Sequence, residues 1–481
     1  MPSIKRDFAY NLILTVGNYI FPLLTYPYVS RVLGVNNIGI CGYVDSVIDY
    51  FILFSTLGVF VLGIRETARM KHDKEGLTEV FSSLLTFNLL MAAVSVCILI
   101  GLTFSLPLFA PYQPFLLVGI AKIIFSALLI EWFYRGLSEF KYITIRSLIV
   151  RTIYVIAVFL FVRTPDDVFV YFTLTVMTTL ITAFWNIWHS RRFVHFSLRA
   201  VHISLYIVPI LSYGMYNILT SMYTSFNTLY LGSVTNEVQV GYFYTATKLH
   251  GICLSVFTAF TTVMIPRVSE MLAHNNKQEI QTIAGKTLDL VYMMTIPLIV
   301  FCCFFAPLII RIIAGEGYAG AIFPFRIIII LLLIIGMEQI IIQQFLLTIK
   351  DSRCIIILSS IGAFVGVSTN LLLTPKWGAV GTSISWTLTE ITLLFIASWL
   401  FLKHFQMRVF NMHLLKYLLA SCPYVGICYL LHDNQFSWKL AIAIILMAIW
   451  FLLLNLKMMP NQVLSASFHQ LTNRISTWFK L

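Results

Sequence analysis

Eight charged residues that stand inside long apolar stretches of the 481-residue chain, or near their ends, are candidates for a functional site. Asp45, Glu131 and Asp289 lie near predicted ends, and Lys122 could extend to the headgroups or pair within its own helix bundle. The stronger candidates are Asp49, Lys248, Glu338 and Glu390. A charge at the centre of a bilayer costs about 2.5–3.5 kcal/mol on insertion scales, so it normally faces a cavity or a partner of opposite charge. Lys248 is therefore a candidate for binding an anion. Glu338 and Glu390 lie deep enough in their stretches to exchange protons with a coupling gradient. These residue types favour a transport site.

Each of these residues also has a purely structural interpretation, which the sequence leaves open. Lys248 could extend its ammonium group to the outer headgroups. Glu338 and Glu390 could only hydrogen-bond neighbouring helices. Asp49 and Lys248 could form a buried ion pair that holds two helix bundles together, which by itself is weak evidence of function.

Polar side chains recur at helical spacing in several of the apolar stretches. Asn11, Thr15, Asn18, Pro22 and Thr25 are spaced four and three residues apart, and a second stripe repeats this from Tyr213 to Asn227. Such hydroxyls could bond only their own helices, but matching stripes in two opening helices favour a hydrated cavity. The residues predicted to line it are Asn18, Thr25, Asn217, Thr220, Thr224, Asn227, Tyr244 and Ser255.

The elements that carry these residues must be membrane-spanning helices. The chain is 59% hydrophobic and only 11% charged, about half the charged fraction of a soluble domain. At roughly 20 residues per span, its apolar stretches predict an all-α, polytopic membrane protein with about fourteen transmembrane helices. This composition excludes a soluble enzyme, a nucleic-acid-binding module and a disordered scaffold.

The formal net charge of +12 follows from membrane topology. Lysines and arginines are concentrated in alternate loops and in both termini, as expected where basic residues stay in the cytoplasm. The sequence therefore predicts that both termini are cytoplasmic, and it predicts no nucleic-acid partner. In the segment 458–481, apolar residues spaced four and three apart predict an amphipathic helix on the inner leaflet.

Weak internal similarity divides the chain into two halves. Leu33-Gly34 and Gly42-Tyr43 recur as Leu231-Gly232 and Gly241-Tyr242, and three further pairs follow in the same order. We expect two pseudo-twofold six-helix bundles around a central cavity, at 1–200 and 201–405, with two appended helices at 406–457. In this register Asp49 aligns with Lys248, so both are expected in one cavity.

No cofactor is predicted, apart from H⁺ or Na⁺ as a coupling ion. The eight cysteines lie mostly in apolar stretches and contain no CxxC pair, so they are interpreted as small apolar residues. The segment 280–287 ends like a phosphate-binding loop but lacks the first glycine and a preceding strand.

Several short motifs resemble those of polysaccharide-transport flippases, a group within the multidrug/oligosaccharidyl-lipid/polysaccharide (MOP) exporter superfamily. They occur at 26–34, at Gly63-Ile-Arg65-Glu-Thr-Ala68, at 132–136 and at 378–381. The chain is most similar to the Wzx-type flippases of O-antigen and capsule repeat units. The resemblance implies alternating access and movement of undecaprenyl-pyrophosphate-linked oligosaccharide from the cytoplasmic to the periplasmic leaflet of the bacterial inner membrane.

That substrate implies roles for particular residues and partners. A pyrophosphate needs cationic groups in a hydrated passage, and Lys248, Arg31 and Arg311 are the expected contacts. Asp49, Glu338 and Glu390 are the expected cavity charges or coupling sites. A polysaccharide polymerase and glycosyltransferases are possible partners, besides membrane lipid.

Two other functions compete with this interpretation. A drug/cation antiporter of the same superfamily would prefer an acidic, aromatic cavity. A membrane glycosyltransferase or polymerase generally needs a large external loop, and the predicted loops are too short to fold into a domain. The chain is therefore expected to be a transporter and not an enzyme.

Overall fold

A computed structural model describes residues 2–273, 277–346, 352–407, 409–410, 412–431 and 438–453. Within these residues the regular structure is helical and contains no strand, which confirms the predicted all-α class. The predicted amphipathic tail at 458–481 lies outside them.

The helices are numbered here in chain order. The first nine are α1 (Pro2–Thr56), α2 (Val59–Arg69), α3 (Lys74–Ser105), α4 (Gln113–Ala127), α5 (Glu131–Gly136), α6 (Phe140–Phe161), α7 (Val168–Ser190), α8 (Ile207–Thr224) and α9 (Phe226–Val234). The others are α10 (Glu237–Ala273), α11 (Lys277–Phe304), α12 (Ala306–Ile313), α13 (Ile322–Ile328), α14 (Leu331–Glu338), α15 (Ser352–Phe405), α16 (Met412–Ala420), α17 (Cys422–Leu431) and α18 (Trp438–Leu453). A π-helix, Gln339–Leu346, directly follows α14.

Two of these helices are long enough for two membrane spans and are broken at a glycine. Helix α1 has 55 residues, about 80 Å of helix against a hydrocarbon core of about 30 Å. Gly34 interrupts it at φ +76°, and Gly378 interrupts α15 at φ +53°. Both angles lie in the left-handed region that glycine adopts without steric cost. Both breaks fall in loops that the sequence predicts, between spans at 8–32 and 40–62 for Gly34 and between spans at 355–373 and 379–402 for Gly378.

The chain is a multi-pass membrane protein. Eight described helical segments are long and apolar enough to cross a membrane, or ten if each of two bent helix pairs is one span. Two of the eight contain the breaks at Gly34 and Gly378. The predicted total of about fourteen transmembrane helices is not confirmed by this count and stays a prediction.

The first of two compact units comprises Met1–Thr245, Ile313–Tyr318 and Ser359–Trp386. In it α1 packs against α3, α4 and α6. Aromatic rings fill part of its core: Phe81 lies 5.0 Å from Phe133 and 6.2 Å from Trp132, between ring centroids. Gly63 admits the Trp132 ring, because a Cβ atom at Gly63 would lie 2.5 Å from it. Two of the sequence motifs thus meet in this core.

The second unit comprises Ala246–Ile312, Ala319–Leu358 and Thr387–Leu481. Its core contains Tyr292, whose hydroxyl donates a 2.9 Å hydrogen bond to the Val409 carbonyl. Phe345 packs 5.5 Å from both Phe401 and Phe405, between ring centroids. The division between the units falls within α10, α12 and α15. The predicted domain bounds at 200, 405 and 457 stay predictions.

Candidate functional site

Three charged side chains of the first unit form an ion triad. Asp45 and Asp49 are one turn apart on α1 and therefore share a face of that helix. The Lys122 ammonium on α4 donates hydrogen bonds to Asp45 Oδ1 at 2.9 Å and to Asp49 Oδ1 at 3.2 Å. Lys122 lies nine residues after the first residue of α4, within a helical segment that is long and apolar enough to cross a membrane.

This triad is both charged and accessible. Two carboxylates and one ammonium leave one net negative charge. The side chains of Lys122, Asp45 and Asp49 are 18%, 25% and 57% exposed. Charged groups inside a membrane-spanning bundle normally face a cavity or a partner of opposite charge. The ion pairs of the triad satisfy the second condition, and the predicted cavity stays a prediction.

Three tyrosines surround the triad within the same unit. Tyr154 on α6, Tyr171 on α7 and Tyr244 on α10 lie close enough to one another to interact electrostatically. Tyr244 in turn interacts electrostatically with Asp45. A Cβ atom at Gly42 would lie 3.1 Å from the Tyr244 ring, so this ring packs against α1 close to the triad. All three tyrosines are half-buried.

The threonines predicted to line a cavity use their hydroxyl groups within their own helices. Thr25 is buried and donates to the Phe21 carbonyl, Thr220 to the Tyr216 carbonyl and Thr224 to the Thr220 carbonyl. These bonds match the alternative interpretation in which hydroxyls satisfy the backbone. That these threonines line a cavity for the substrate stays a prediction.

The predicted asparagines and Arg31 occupy different environments. Asn18 and Arg31 are exposed. Asn217 Nδ2 donates to the Leu57 carbonyl at 2.9 Å, which joins α8 to the residues between α1 and α2. Asn227 is only 1% exposed and accepts a 2.7 Å hydrogen bond from Asn370, so it lies inside the packed unit.

Two carboxyl groups of the second unit are in contact. Glu338 ends α14 and Glu390 lies on α15, and the two carboxyl groups lie close enough to interact electrostatically. The side chains are buried, at 8% and 5% exposure. Two carboxylates this close repel each other when both are ionised. The Oε1 atom of Glu338 has no hydrogen-bond partner among the described residues.

The π-helix beside Glu338 extends this polar site towards α10. Gln339 Nε2 donates to Thr258 Oγ1 at 2.9 Å, and Thr261 Oγ1 donates to Gln339 Oε1 at 3.5 Å. π-Helical turns are rare and occur frequently at functional sites. A carboxyl pair and an amide are thus held together beside an irregular helix.

The remaining predicted residues lie on α10 and α12. Lys248 is exposed and lies one turn after Tyr244 on α10, on the same face of that helix. Ser255 donates to the Ile252 carbonyl at 2.6 Å. Arg311 is exposed on α12. Asp49 and Lys248 belong to different units, and the predicted cavity that they share stays a prediction.

Three residues in these sites have no role predicted from the sequence: Tyr154, Tyr171 and Gln339. For Lys122 the sequence leaves open pairing within its own helix bundle, and the structure shows such pairing, with Asp45 and Asp49. The spacing of Asp45 and Asp49 is a usable signal, because it places two acids on one helix face. Gln339 directly follows a candidate glutamate in an otherwise apolar stretch. The described residues contain no cluster of three or more His, Cys, Asp or Glu side chains that could hold a metal ion.

Two family models match the chain over overlapping parts of its length. The model described as polysaccharide biosynthesis protein matches residues 4–272, and the model of the lipid II flippase MurJ matches residues 206–449. A putative O-antigen transporter of Escherichia coli (strain K12) is 23% identical over 350 residues, covering 72% of this chain and 84% of the relative. A putative O-antigen transporter of Shigella dysenteriae is 21% identical over 394 residues, covering 80% of this chain and 97% of the relative.

Solved structures share the fold. The inward closed conformation of the lipid II flippase MurJ superposes with a TM-score of 0.77 at 15% identity, covering 92% of this chain and 97% of that one. An inward-facing multidrug resistance MATE family transporter of the MOP superfamily superposes with a TM-score of 0.62 at 15% identity. The match covers 82% of this chain and 98% of that one. The fold is therefore common to proteins that transport different substrates.

Proposed function

The chain belongs to the polysaccharide biosynthesis protein family, and from this premise we propose that it is a flippase for lipid-linked oligosaccharides. The resemblance to Wzx-type flippases is confirmed by the family matches and the fold. The observation that carries the proposal is the pair of family matches, which together extend from residue 4 to residue 449. The two O-antigen transporters, aligned over 84% and 97% of their own lengths, support the same substrate class.

The proposed substrate is an undecaprenyl-pyrophosphate-linked repeat unit, moved from the cytoplasmic to the periplasmic leaflet by alternating access. Its headgroup is anionic and strongly hydrated, so it needs a polar route through the hydrocarbon layer. Lys248, Arg31 and Arg311 are the proposed pyrophosphate contacts. Exposure of all three side chains supports this assignment, because a phosphate ligand must be able to reach them.

The protein is a transporter, and on this proposal it transfers its substrate without making or breaking a bond. Glycosyltransferases would supply the lipid-linked repeat unit on the cytoplasmic side, and a polymerase would consume it on the other. The proposed location is the inner membrane with both termini in the cytoplasm, supported by the distribution of lysines and arginines in the sequence.

Transport is proposed to be coupled to a proton gradient at the Glu338–Glu390 pair. The closeness of the two buried carboxyl groups supports this, because a single proton would relieve their mutual repulsion. Asp49 contributes to cavity charge in this scheme, and its pairing with Lys122 makes it a less suitable coupling group.

Reconstitution tests the proposal directly. Lipid-linked oligosaccharides extracted from a strain that lacks the gene would be placed in vesicles with and without the purified protein. A flippase should accelerate exposure of the inner-leaflet glycans to a membrane-impermeant oxidant of sugars, and it should leave their length unchanged. Longer glycans would indicate a polymerase. No acceleration, together with efflux of cationic drugs from cells, would favour the antiporter.

A further inference from the structure

Arg151 stands at the middle of α6, and no role is predicted for it from the sequence. Helix α6 has 22 residues, from Phe140 to Phe161, which is about 33 Å of helix against a hydrocarbon core of about 30 Å. A span of this length has no excess residues by which its centre could move out of the membrane. Arg151, eleven residues after Phe140 and ten before Phe161, therefore lies near mid-depth.

We propose that the Arg151 guanidinium binds the pyrophosphate of the transported lipid halfway through the membrane. The inference rests on the proposed function, and it adds a binding residue that acts deeper than Arg31 and Arg311. Those two residues stand at or beyond the predicted outer ends of their spans, so they can meet the headgroup near the surface.

The lipid-facing surface of α6 lies on the other side of the helix. Large apolar side chains spaced three or four residues apart are between 40% and 54% exposed there: Ile145, Ile149, Ile153, Ile156 and Leu160. Arg151 is two residues from both Ile149 and Ile153, which on an α-helix places it about 160° around the axis from each. Arg151 is therefore directed away from the lipid.

The face that carries Arg151 is turned to the interior of the first unit. It consists of Thr144, Ser147, Arg151, Tyr154 and Val158, spaced three and four residues apart. The Thr144 hydroxyl donates a 2.9 Å hydrogen bond to the Tyr10 carbonyl on α1. Thr144 and Val158 are buried, whereas the three side chains between them are half-buried. The face is thus packed at both ends and accessible in the middle.

No described side chain neutralises Arg151. Among the residues that the structure describes, it has neither a hydrogen bond nor an ion pair within 4 Å. The acid that interacts with it electrostatically is Glu131, and Glu131 Oε1 already accepts a 2.7 Å hydrogen bond from Arg146. A charge inside a membrane bundle normally faces a water-filled cavity or a partner of opposite charge. Because the ion pair is missing, we expect the accessible middle of this face to hold water and an anionic ligand.

The groups on this face suit a phosphate. A guanidinium group stays charged and donates two parallel hydrogen bonds to phosphate oxygens. Ser147 and Tyr154 are one turn from Arg151 on either side, so their hydroxyl groups can contact the same ligand. Ser147 Oγ accepts a 3.0 Å hydrogen bond from Arg146, which leaves its own proton for a phosphate oxygen.

Binding and thermal unfolding of the purified full chain test the inference. Inorganic pyrophosphate would be titrated by calorimetry into the wild type, Arg151→Gln, Arg151→Lys and Arg163→Gln. The unfolding temperature of each protein would be recorded with and without pyrophosphate. Arg163→Gln is the matched control, because Arg163 follows the same helix, is exposed and also loses one positive charge.

We expect Arg151→Gln to weaken pyrophosphate binding about ten- to a hundredfold, the effect of losing a hydrogen-bonded charge. Arg151→Lys should weaken it less, because it keeps the charge but not the paired donors. Without ligand, Arg151→Gln should unfold at the temperature of the wild type or higher, since it removes an unpaired charge from the membrane interior. Pyrophosphate should raise the unfolding temperature of the wild type and of Arg163→Gln, and not that of Arg151→Gln.

The inference is overturned if Arg151→Gln binds pyrophosphate normally, or if the wild type binds none at millimolar concentrations. A lower unfolding temperature of ligand-free Arg151→Gln would also overturn it, because the guanidinium would then have a structural partner. Failure of the wild type to flip the intact lipid would instead overturn the proposed function. A wild type and an Arg151→Gln variant that flip the lipid equally well would contradict this inference alone.

Discussion

The carboxyl group of Glu338 lies close to that of Glu390, and both side chains are buried within one unit. The two residues are on different helices, α14 and α15, and the π-helix Gln339–Leu346 begins immediately after Glu338. Ionisation of both groups would place two negative charges against each other. The protonation state of the pair is thereby linked to how closely the two helices can approach.

Glu338→Gln tests this link. The amide keeps the shape of the side chain and can donate to Glu390 without an added proton, so the protein should fold and still bind substrate. We expect transport driven by an imposed pH gradient to fall to the rate without a gradient. The measurement is glycan exposure in vesicles with and without that gradient.

Glu75→Gln, at an exposed position near the start of α3, is the matched control and should keep the response to the gradient. A Glu338→Gln variant that still responds normally to the pH gradient would remove this pair from the coupling step. Dependence of the wild type on a sodium gradient alone would contradict proton coupling.

Lys122→Gln is expected to destabilise the first unit. Removing the ammonium leaves Asp45 and Asp49 without their counter-ion, one turn apart on α1. Breaking a fully buried ion pair costs about 3–5 kcal/mol; because these side chains are partly exposed, we expect about 1–3 kcal/mol. The measurement is thermal unfolding of the purified protein in detergent.

Asp45→Asn is the comparison for Lys122→Gln, because it leaves one aspartate for one lysine. Asp45→Asn should lower the stability of the folded protein by less than Lys122→Gln does. The double variant should be more stable than the sum of the two single effects predicts, since the groups are in direct contact. Strict additivity would show that the Lys122–Asp45 contact contributes no coupling energy.

Gly63→Ala is expected to disrupt the aromatic core around Trp132. The added Cβ atom would lie 2.5 Å from the Trp132 ring, so the ring or α2 would have to shift. Overpacking of this kind costs about 1–3 kcal/mol, which should appear as a lower unfolding temperature and lower yield in membranes.

Gly101→Ala is the matched control, because Gly101 lies inside α3 and a Cβ atom there meets nothing within 4 Å. Alanine should be neutral or stabilising at this position, since it has the higher helix propensity by about 1 kcal/mol. Equal destabilisation by both substitutions would mean that loss of glycine flexibility, and not the Trp132 contact, is the cause.

Lys248→Ala is expected to abolish export of the surface polysaccharide, because it removes a proposed pyrophosphate contact, whereas Lys248→Arg should keep most of it. The readout is surface glycan in a deletion strain that carries each variant. Lys403→Ala, an exposed lysine beside Trp399 in the same unit, should export normally. Normal surface glycan with Lys248→Ala, accompanied by unchanged or improved drug efflux, would favour the drug/cation antiporter.

The class of the protein is predictable from local sequence. Hydrophobicity over about 20 residues predicts a membrane helix without reference to any other part of the chain, and the glycines at 34 and 378 stand in the predicted loops that break α1 and α15. The family motifs are likewise contiguous in sequence. For these reasons the amino-acid sequence by itself determines both the helical class and the family.

The contacts within the sites depend on tertiary structure. Lys122 is 77 residues from Asp45 and 73 from Asp49 in the sequence. The spacing of residues along the chain does not predict which face of α4 packs against which face of α1. Glu338 and Glu390 are each recognisable as deep acids, but their contact follows from the packing of α14 and α15. Periodicity assigns a side chain to a face of its own helix, whereas the choice of partner depends on how separate helices pack together.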